Sequence, residues 1–541
     1  MIMKIIRYIF VSLSLLILSG CNFLDLEPQD FVNNDEYYNT EEDLQAALNG
    51  IYSELASGNL YKSYFIGRAG LDADQGYQQR DGDAKTLGEY YVVATDIKVL
   101  SIWQTLYRGI NNANILLANV DKESIDIERS ERQRIKGETL FLRAYFYFLL
   151  AQNWGDVPYI TVPTEGAKPE DIQIARTPAL EVYDHIISDM NTALPYVKQI
   201  DELGYGGKVS QSAIHGILAR VHLYVAGEPY NRTEDYALAR KHAWEVISSN
   251  KHKLNPDFQQ IFINYAQDIY DIGESIWEVE FYGNGTGLYA QLGGYVGGTN
   301  GIRNSSEKNN VGYTYDYINA TKFAYDLYKT VNSKTDIRRD LTIAPFKYST
   351  PSGSTVNDAP DKINWTSTQI FNRNAGKFRR EYEILFPKHK SYTPTNFPLL
   401  RYADVLLMFA EADNEVNHGP TVEAYNAVNQ VVRRGFGEDP LTPNADYDWE
   451  GMDYDSFKSE IRNERARELC FEALRKRDLV RWGIFVEQMK RCLADAQAAP
   501  TFNDLNHAID TYSNASERDV VWPIPSYEIG LNPKLTQNAG W

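Results

Sequence analysis

The chain has 541 residues, of which 43% are hydrophobic, and its formal net charge is -19 at pH 7. The hydrophobic content is sufficient for a packed core. The acidic balance argues against nucleic acid and anionic lipid as partners and favours neutral or basic ones. On length alone the chain could form two or three domains, but it contains no low-complexity linker, which favours one interlocked body.

The first residues have the three parts of a secretory signal peptide. Lys4 and Arg7 precede the apolar run 8–18, and small residues follow directly before Cys21. The apolar run is shorter than the roughly 20 residues that a membrane-spanning helix needs. The sequence Leu18-Ser19-Gly20-Cys21 resembles a bacterial lipobox, which implies cleavage before Cys21, lipidation of Cys21 and a membrane-tethered mature protein. An ordinary signal peptide with a chance cysteine is the alternative.

Apolar residues at helical spacing dominate the chain up to residue 249. Thr40 is a suitable N-cap, because three acidic residues follow it at the positive end of the helix. The periodicity predicts the helices Thr40–Ala56, Ile97–Val120, Ser130–Trp154, Ala179–Val197, Ser210–Val225 and Thr233–Ser249. Paired helices of this length with short turns resemble tetratricopeptide hairpins, although no strict repeat period is present.

The pattern changes after residue 270. Residues 275–281 alternate as a short strand does, a glycine-rich stretch with tyrosines follows to Arg303, and residues 304–398 are irregular. Helical periodicity then predicts Arg401–Glu415, Val422–Arg434, Tyr454–Leu474 and Leu479–Ala498. Residues 520–541 form an extended tail punctuated by proline. We therefore predict an all-α scaffold of helical hairpins with long loop-rich insertions and a few short strands, in which loops carry recognition.

Candidate catalytic and metal-binding groups are few. Glu278 and Glu280 share one face of the predicted strand, as a glycosidase pair would, but two acids on a wet strand face are common. His215 and His222 are seven residues apart without a third ligand, so they indicate ordinary helix residues. Cys470 and Cys492 could pair or remain two separate thiols. The sequence predicts no cofactor and no enzyme, and it leaves open whether a calcium ion braces the loops.

Charged residues near the end of the chain have a structural interpretation. Glu464, Glu468 and Glu472 stand among arginines in a predicted helix, which indicates a lattice of structural ion pairs.

Tyrosine is the leading aromatic residue, with 38 copies. Its ring offers a flat apolar face to a sugar and its hydroxyl can bond sugar OH groups. Aromatic residues in polar or glycine-rich loops are the informative ones, because they are harder to bury. Two such stretches are candidate ligand sites, the first with Asp72, Asp74, Gln75, Arg80, Tyr90 and Tyr91, and the second with Tyr282, Tyr289 and Tyr295. The alternative is that these loops only contact a partner protein.

Several motifs occur in an ordered set from residue 18 to residue 541. They are the lipobox, WQTLYRGINNAN from Trp103, GETLFLRAYFYFLLAQNWGDVP from Gly137, PLLRYADVLLMFAEADNE from Pro398, ERARELCFEALRKRDLVRWG from Glu464 and PIPSYEIGLNPKLTQNAGW from Pro523. This set resembles the SusD/RagB family of Bacteroidetes outer-membrane lipoproteins. Ala473 and Lys476 stand where the family often has Gly and Trp, and Ala539 stands where Pro is usual.

The resemblance implies a fold and a function. It implies residues 1–20 as signal peptide, an N-terminal region 21–270 with tetratricopeptide-like helices, and a C-terminal region 271–541 with the loop-rich insert. It implies a lipid-anchored protein at the cell surface that binds oligosaccharides and delivers them to a SusC-like TonB-dependent transporter, over which it closes as a lid. In the family the ligand platform comes from the two regions that contain the tyrosine-bearing stretches. Alternatives are peptide binding, as in RagB-like proteins, a transporter scaffold without a ligand and a surface glycoside hydrolase.

Overall fold

A computed structural model describes residues 38–65, 73–79, 85–164, 172–285, 292–500 and 505–541. The predicted signal peptide and Cys21 lie outside these residues. About half of the chain is helical, and the few strands are short. The predicted all-α class is therefore confirmed.

The longer helices of the described residues form most of the scaffold. They are α1 (Glu41–Leu55), α2 (Ile97–Asn119), α3 (Arg129–Trp154), α4 (Ala179–Ala193), α5 (Gln211–Ala226), α6 (Asp235–Ser248), α7 (Phe258–Gln267), α8 (Tyr402–Asn417), α9 (Val422–Gly435), α10 (Tyr454–Glu468), α11 (Arg475–Arg481), α12 (Phe485–Gln497) and α13 (Asn506–Asn514). Shorter helices are Lys85–Gly88, Ile200–Leu203, Val296–Thr299, Lys322–Asp326, Arg338–Thr342 and Ser526–Leu531. Single 3-10 turns are Leu194–Tyr196, Ile370–Asn372, Arg380–Tyr382 and Glu517–Val520.

Consecutive helices pack as pairs. Helix α2 packs on α3, α3 on α4, and α5 on α6, as hairpins do, and α8 packs on α9. Helix α6 also packs on α8, which lies more than 150 residues later in the chain, so the two helical parts share one core. The boundary predicted at residue 270 remains a prediction.

Helix starts agree with the sequence to within two residues where a side chain caps them. The Thr40 hydroxyl accepts a hydrogen bond from the backbone N–H of Asp43 at 3.1 Å, and the Asp43 carboxylate accepts one from the Thr40 N–H at 3.0 Å. This reciprocal capping box fixes the start of α1. Ser210 and Thr421 cap α5 and α9 in the same way, by accepting from the N–H three residues later.

Three predicted helices are shorter than expected. The helix predicted as Ala179–Val197 ends at Ala193 and is followed by the 3-10 turn Leu194–Tyr196. The helix expected to reach Leu474 ends at Glu468, and Phe471 and Ala473 beyond it have φ of +61°. A left-handed residue interrupts the i to i-4 hydrogen bonds, so the helix cannot continue. The stretch predicted as one helix from Leu479 is two helices, α11 and α12, separated near Gly483 at φ +68°.

The described strands form two-stranded antiparallel pairs. They are β1 (Gly76–Gln78) with β3 (Ile318–Ala320), β2 (Ser275–Val279) with β8 (Phe397–Arg401), β4 (Thr330–Val331) with β5 (Lys334–Thr335), and β6 (Phe346–Ser349) with β7 (Asp361–Asn364). The strand predicted at residues 275–281 is present as β2 but ends at Val279, and all five of its residues are buried, so the expectation of a wet face that carries both Glu278 and Glu280 was wrong. Its partner β8, together with α7 and α13, was not predicted.

Three tryptophans connect the tail to the first helical hairpin. Trp154 of α3 packs edge-on against Trp103 of α2 and Trp522 of the tail, with ring centres 5.3 and 5.0 Å apart. The indole N–H of Trp154 donates to the carbonyl of Pro523 at 3.0 Å, and the Asn538 amide donates to the carbonyls of Trp154 and Trp522. The tail is thus part of the core rather than an appendage.

A buried network of ion pairs crosses the interior. Arg401 of β8 contacts Glu274 at 2.7 Å and Glu472 at 2.7 Å, and Arg434 contacts Glu274 and Glu468, each at 2.8 Å. The charged side chains of these five residues are at most 3% exposed. The interpretation of Glu468 and Glu472 as structural is confirmed, but their partners lie on other elements and the pairs are not on the surface.

None of the helices in the described part of the chain is both long enough and apolar enough to cross a bilayer.

Candidate ligand-binding site

Two of the predicted site residues belong to the interior. Asp74 is fully buried, and its two carboxylate oxygens accept hydrogen bonds from the Arg475 guanidinium at 2.9 and 2.8 Å. Tyr90 is 2% exposed, and the ammonium of Lys476 lies 4.6 Å from its ring centre. In this conformation neither side chain offers surface to a ligand, so the site described below does not include them.

The remaining residues of the first predicted stretch differ from one another in exposure. Gln75 is buried and donates to the carbonyl of Ala466 at 2.8 Å, whereas Tyr91 is 43% exposed. Asp72 and Arg80 lie outside the described residues, as does Tyr289 of the second stretch.

Tyr295 of the second stretch is half-buried in an aromatic pair. Its ring centre lies 5.3 Å from that of Tyr392, and the ammonium of Lys62 lies 5.5 and 5.1 Å from the two rings. Burial, together with the neighbouring Tyr392 hydroxyl, raises the pKa of Tyr295 to about 12. The Tyr295 hydroxyl is thus hydrogen-bonded to its Tyr392 neighbour, which links the two rings.

Three further tyrosines form a row that sequence reasoning missed. Tyr313, Tyr315 and Tyr317 have ring centres 5.0 and 5.7 Å apart, and the last two rings are nearly parallel, at 9°. Each is partly exposed, whereas Thr314 and Asp316 between them are 2% exposed. The alternation of tyrosine with polar residues in YTYDY was the available signal, because alternation predicts that residues i and i+2 share one face of an extended chain. In the structure Asp316 has φ of +48°, so the segment is not a regular strand.

This row lies between the two predicted stretches and brings them together. The N–H of Gln79 donates to the carbonyl of Tyr317 at 2.8 Å, directly beyond the β1–β3 pairing. On the other side, the N–H groups of Tyr315 and Tyr317 donate to the carbonyls of Gly298 and Thr299 at 2.7 and 3.0 Å. The row is thus hydrogen-bonded to residue 79 on one side and to residues 298 and 299 on the other, and the contribution of both stretches to one ligand site remains a prediction.

The row also adjoins the Tyr295–Tyr392 pair. The hydroxyls of Tyr315 and Ser391 are 3.3 Å apart, and the Lys390 ammonium lies 4.7 Å from the Tyr313 ring centre. We call the five tyrosines the tyrosine platform: Tyr295, Tyr313, Tyr315, Tyr317 and Tyr392. Its parts can stack on flat apolar ligand faces and donate hydrogen bonds from their hydroxyls.

The glycine-rich loop follows the edge of the platform. A side-chain Cβ at Gly285 would lie 2.4 Å from the Tyr392 ring, and Gly285 has φ of +77°. Only glycine fits both conditions, so this glycine allows the backbone to pass against the ring. Tyr282, in the same loop, is 51% exposed and lines a neighbouring cleft of about 570 Å³.

Glu278 and Glu280 also line that cleft. Burial raises the pKa of Glu278 to about 7, and burial raises the pKa of Glu280 as well. The Ser275 hydroxyl and the Asn396 amide donate to the two Glu278 oxygens at 2.6 and 3.1 Å, and the Tyr270 hydroxyl donates to Glu280 at 2.8 Å. Internal donors therefore occupy the oxygens that an acid catalyst would present, which favours a structural role for Glu278.

Histidine and cysteine residues do not form a metal centre in the described part of the chain. His215 pairs with His242, their Nδ1 atoms 3.0 Å apart, and His222 pairs with Asp235. Within the described ranges no group of three or more potential ligands is arranged to hold a metal ion. Cys470 and Cys492 are both buried free thiols, which settles the alternative that the sequence left open.

Comparison with known proteins gives matches along nearly the whole chain. Residues 273–541 match the family model described as SusD family, and residues 22–223 match one described as "Starch-binding associating with outer membrane". SusD-like protein P25 of Formosa agariphila is 26% identical, with 99% of this chain and 98% of that protein covered.

Solved structures show the same fold. A SusD homolog from Bacteroides thetaiotaomicron superposes with a TM-score of 0.81 at 25% identity, covering 94% of this chain and 98% of that one. A laminarin-binding SusD-like protein superposes with a TM-score of 0.69 at 21% identity, covering 93% of this chain and all of the other.

Proposed function

We propose that this chain, which belongs to the SusD family, captures glycans on the tyrosine platform and delivers them to a SusC-like TonB-dependent transporter. The protein acts at the cell surface, anchored to the outer membrane through lipid on Cys21, and closes over the transporter as a lid. It binds its ligand without chemical change. Tyr282, beside the platform, is an outer contact of the same site.

The observation that carries this proposal is the row of Tyr313, Tyr315 and Tyr317. The nearly parallel rings of Tyr315 and Tyr317 suit a repeating ligand, because each can stack on a successive sugar, whereas the Tyr313 ring is turned 77° from that of Tyr315 and can contact the ligand from the side. The row rests on backbone hydrogen bonds to residues 79, 298 and 299, so the rings are held in place before the ligand arrives. A preformed surface of this kind lowers the entropic cost of binding.

The comparisons support a glycan as the ligand class. The match over residues 22–223 is to a family described as starch-binding, and one structural neighbour is described as laminarin-binding. Release to a transporter requires moderate affinity, and we expect dissociation constants between micromolar and millimolar, about -8 to -4 kcal/mol.

The test combines a ligand screen with substitutions on the platform. Residues 22–541 are run through native gels that each contain one polysaccharide, with a peptide pool and product analysis in parallel. For the glycan that retards the protein, Tyr315→Ala/Tyr317→Ala should weaken binding at least about tenfold, because two stacking faces are lost. Tyr527→Ala is the matched control, since Tyr527 is 57% exposed on the separate helix Ser526–Leu531.

Each alternative has its own outcome. Retention of full affinity in the double variant would contradict the platform as the site. Binding of peptides alone would favour a RagB-like role, and released sugars would indicate a hydrolase. Absence of any ligand together with a stable transporter complex would indicate a scaffold.

A further inference from the structure

A second cleft, of about 560 Å³, lies beside the tyrosine platform and differs from the rest of this acidic protein in charge. Three cationic residues line it, Arg303, Lys308 and Lys347, and none of the described residues that line it is acidic. The walls are segment 303–308, strand β6 and the loop that follows β6. We call this feature the cationic cleft.

Hydroxyl groups supply most of the remaining lining. They are Ser305, Ser306, Ser349, Thr350, Ser352 and Ser354. The Ser306 hydroxyl oxygen accepts from the N–H of Lys308 at 3.0 Å, and that of Thr350 accepts from the Asn309 amide at 2.8 Å. Each of these hydroxyls keeps its proton to donate. Cations and donating hydroxyls together suit a ligand group that only accepts hydrogen bonds, such as a sulfate or a carboxylate.

Nearby groups leave the positive charge of Lys308 and Lys347 in place, whereas Arg303 is paired with the carboxylate of Asp316. The Lys347 ammonium lies 4.9 Å from the ring centre of Trp365, a contact that does not neutralise it. Glu307, next to Lys308 in sequence, is bound by Lys390 at 3.0 Å. The Arg303 side chain is 48% exposed, and its Nε lies 3.7 Å from the buried carboxylate of Asp316.

Backbone hydrogen bonds connect the walls of the cationic cleft to the tyrosine platform. The N–H of Thr314, between Tyr313 and Tyr315, donates to the carbonyl of Asn304 at 3.0 Å. On the other side of the same segment, the N–H of Tyr348 donates to the carbonyl of Arg303 at 2.9 Å. Segment 303–304 therefore lies between the tyrosine row and β6, about 4.8 Å from each. A glycan bound along the row would pass next to the cleft.

We propose that the cationic cleft is a subsite for an anionic substituent, a sulfate ester or a uronate carboxylate, on the glycan bound by the tyrosine platform. The proposal rests on the proposed function and narrows its ligand class to acidic polysaccharides. The net charge of -19 does not oppose it, because charges more than about 8 Å away are largely screened at physiological ionic strength. The local cations decide which substituents are accepted.

The test uses polysaccharides that share a backbone and differ in charge. Laminarin is compared with sulfated laminarin and with laminarin oxidised to uronate by calorimetry at low and physiological salt. We expect the wild type to prefer one charged form by about tenfold, an amount that two lysine contacts can supply, and to lose this preference as salt rises. The sulfated and oxidised forms distinguish the two anionic groups.

Two lysine variants locate the effect. Lys308→Gln/Lys347→Gln should remove the preference for the charged form and leave affinity for the uncharged backbone unchanged. The control Lys136→Gln/Lys322→Gln removes the same charge from lysines that pair with Asp121 and Asp326 elsewhere on the surface, and should behave as the wild type.

The outcomes separate this inference from the proposed function. Equal affinity of the wild type for charged and uncharged forms, or a preference that persists in Lys308→Gln/Lys347→Gln, would overturn the cleft as an anion subsite while glycan capture stands. Absence of binding to every polysaccharide would overturn both.

Discussion

At the scale of single residues, two buried carboxyl groups, those of Glu411 and Glu278, have pKa values shifted in opposite directions. Burial alone would raise the pKa of Glu411, but the Arg481 guanidinium outweighs it and brings the pKa to about 2. Glu278 is buried without a bound cation, and its pKa rises to about 7. Local partners, rather than burial by itself, decide which carboxyl carries charge.

Glu278 should make the stability of the protein depend on pH. Its carboxyl has an ordinary pKa of 4.5 when unfolded and about 7 when folded, so its contribution is fully present below pH 4.5 and is lost as pH rises past 7. In Glu278→Gln the amide oxygen can still accept from Asn396, the amide N–H can donate to the Ser275 hydroxyl oxygen, and the side chain carries no charge. We expect the free energy of unfolding of this variant, relative to the wild type, to rise by about 2 kcal/mol between pH 5 and pH 8.

Denaturant unfolding of both proteins at the two pH values measures this change. An equal difference between the variant and the wild type at pH 5 and pH 8 would contradict the buried, proton-binding state of Glu278.

The local structure around a residue was predictable from the sequence pattern, but the role of its side chain was not. The sequence placed Glu278 and Glu280 on one strand, but Glu278 depends on Asn396, 118 residues away. It likewise selected Asp74 as a ligand contact, whereas the partner of Asp74, Arg475, is 401 residues away. A pairing over such a distance leaves no periodic signal in the sequence.

At the scale of elements, long helices were predictable to within a few residues at their capped ends, because their apolar faces repeat every turn. The strands other than β2 were not, because they are two to five residues long and their partners are set by tertiary packing. The tyrosine row was missed for the same reason. It lies in a stretch classed as irregular, although YTYDY alternates as an extended segment does.

The end of helix α10 gives an element-scale prediction. Ala473 has φ of +61°, a left-handed conformation in which alanine is strained and glycine is not. Ala473→Gly should raise the free energy of unfolding by about 1 kcal/mol. Thermal and denaturant unfolding measure it.

A glycine in a regular helix provides the matched control. Ala46→Gly, at an exposed position within α1, should lower the free energy of unfolding by about 1 kcal/mol. If both variants were destabilised alike, the conformation of residues 469–474 would differ from the one described.

At the scale of the whole molecule, contacts between distant segments hold the scaffold together. Arg401, Arg434 and their carboxylate partners join β8, α9 and the end of α10 in the interior, and the tryptophan group joins the tail to α2 and α3. Loss of either the ion pairs of Arg401 and Arg434 or the contacts among the three tryptophans would disturb several helices and strands at once.

Trp522 tests this long-range connection. It is 3% exposed, and Trp522→Ala should lower the free energy of unfolding by about 3–5 kcal/mol, because a large buried ring leaves a cavity. Trp244→Ala is the control, since Trp244 is 44% exposed on α6 and its loss should cost much less. Denaturant midpoints of the two variants provide the comparison, and equal costs would contradict a structural role for the tail.

The packing of Trp103, Trp154 and Trp522 also bears on when the first helical hairpin can complete its core during synthesis. Trp103 and Trp154 are made early, but their pocket is completed only by Trp522 and Asn538, more than 360 residues later. We therefore expect the packing of the first hairpin to be completed only when nearly all of the chain has left the ribosome. For a chain threaded unfolded through an export channel this delay is an advantage, because premature closure would block translocation.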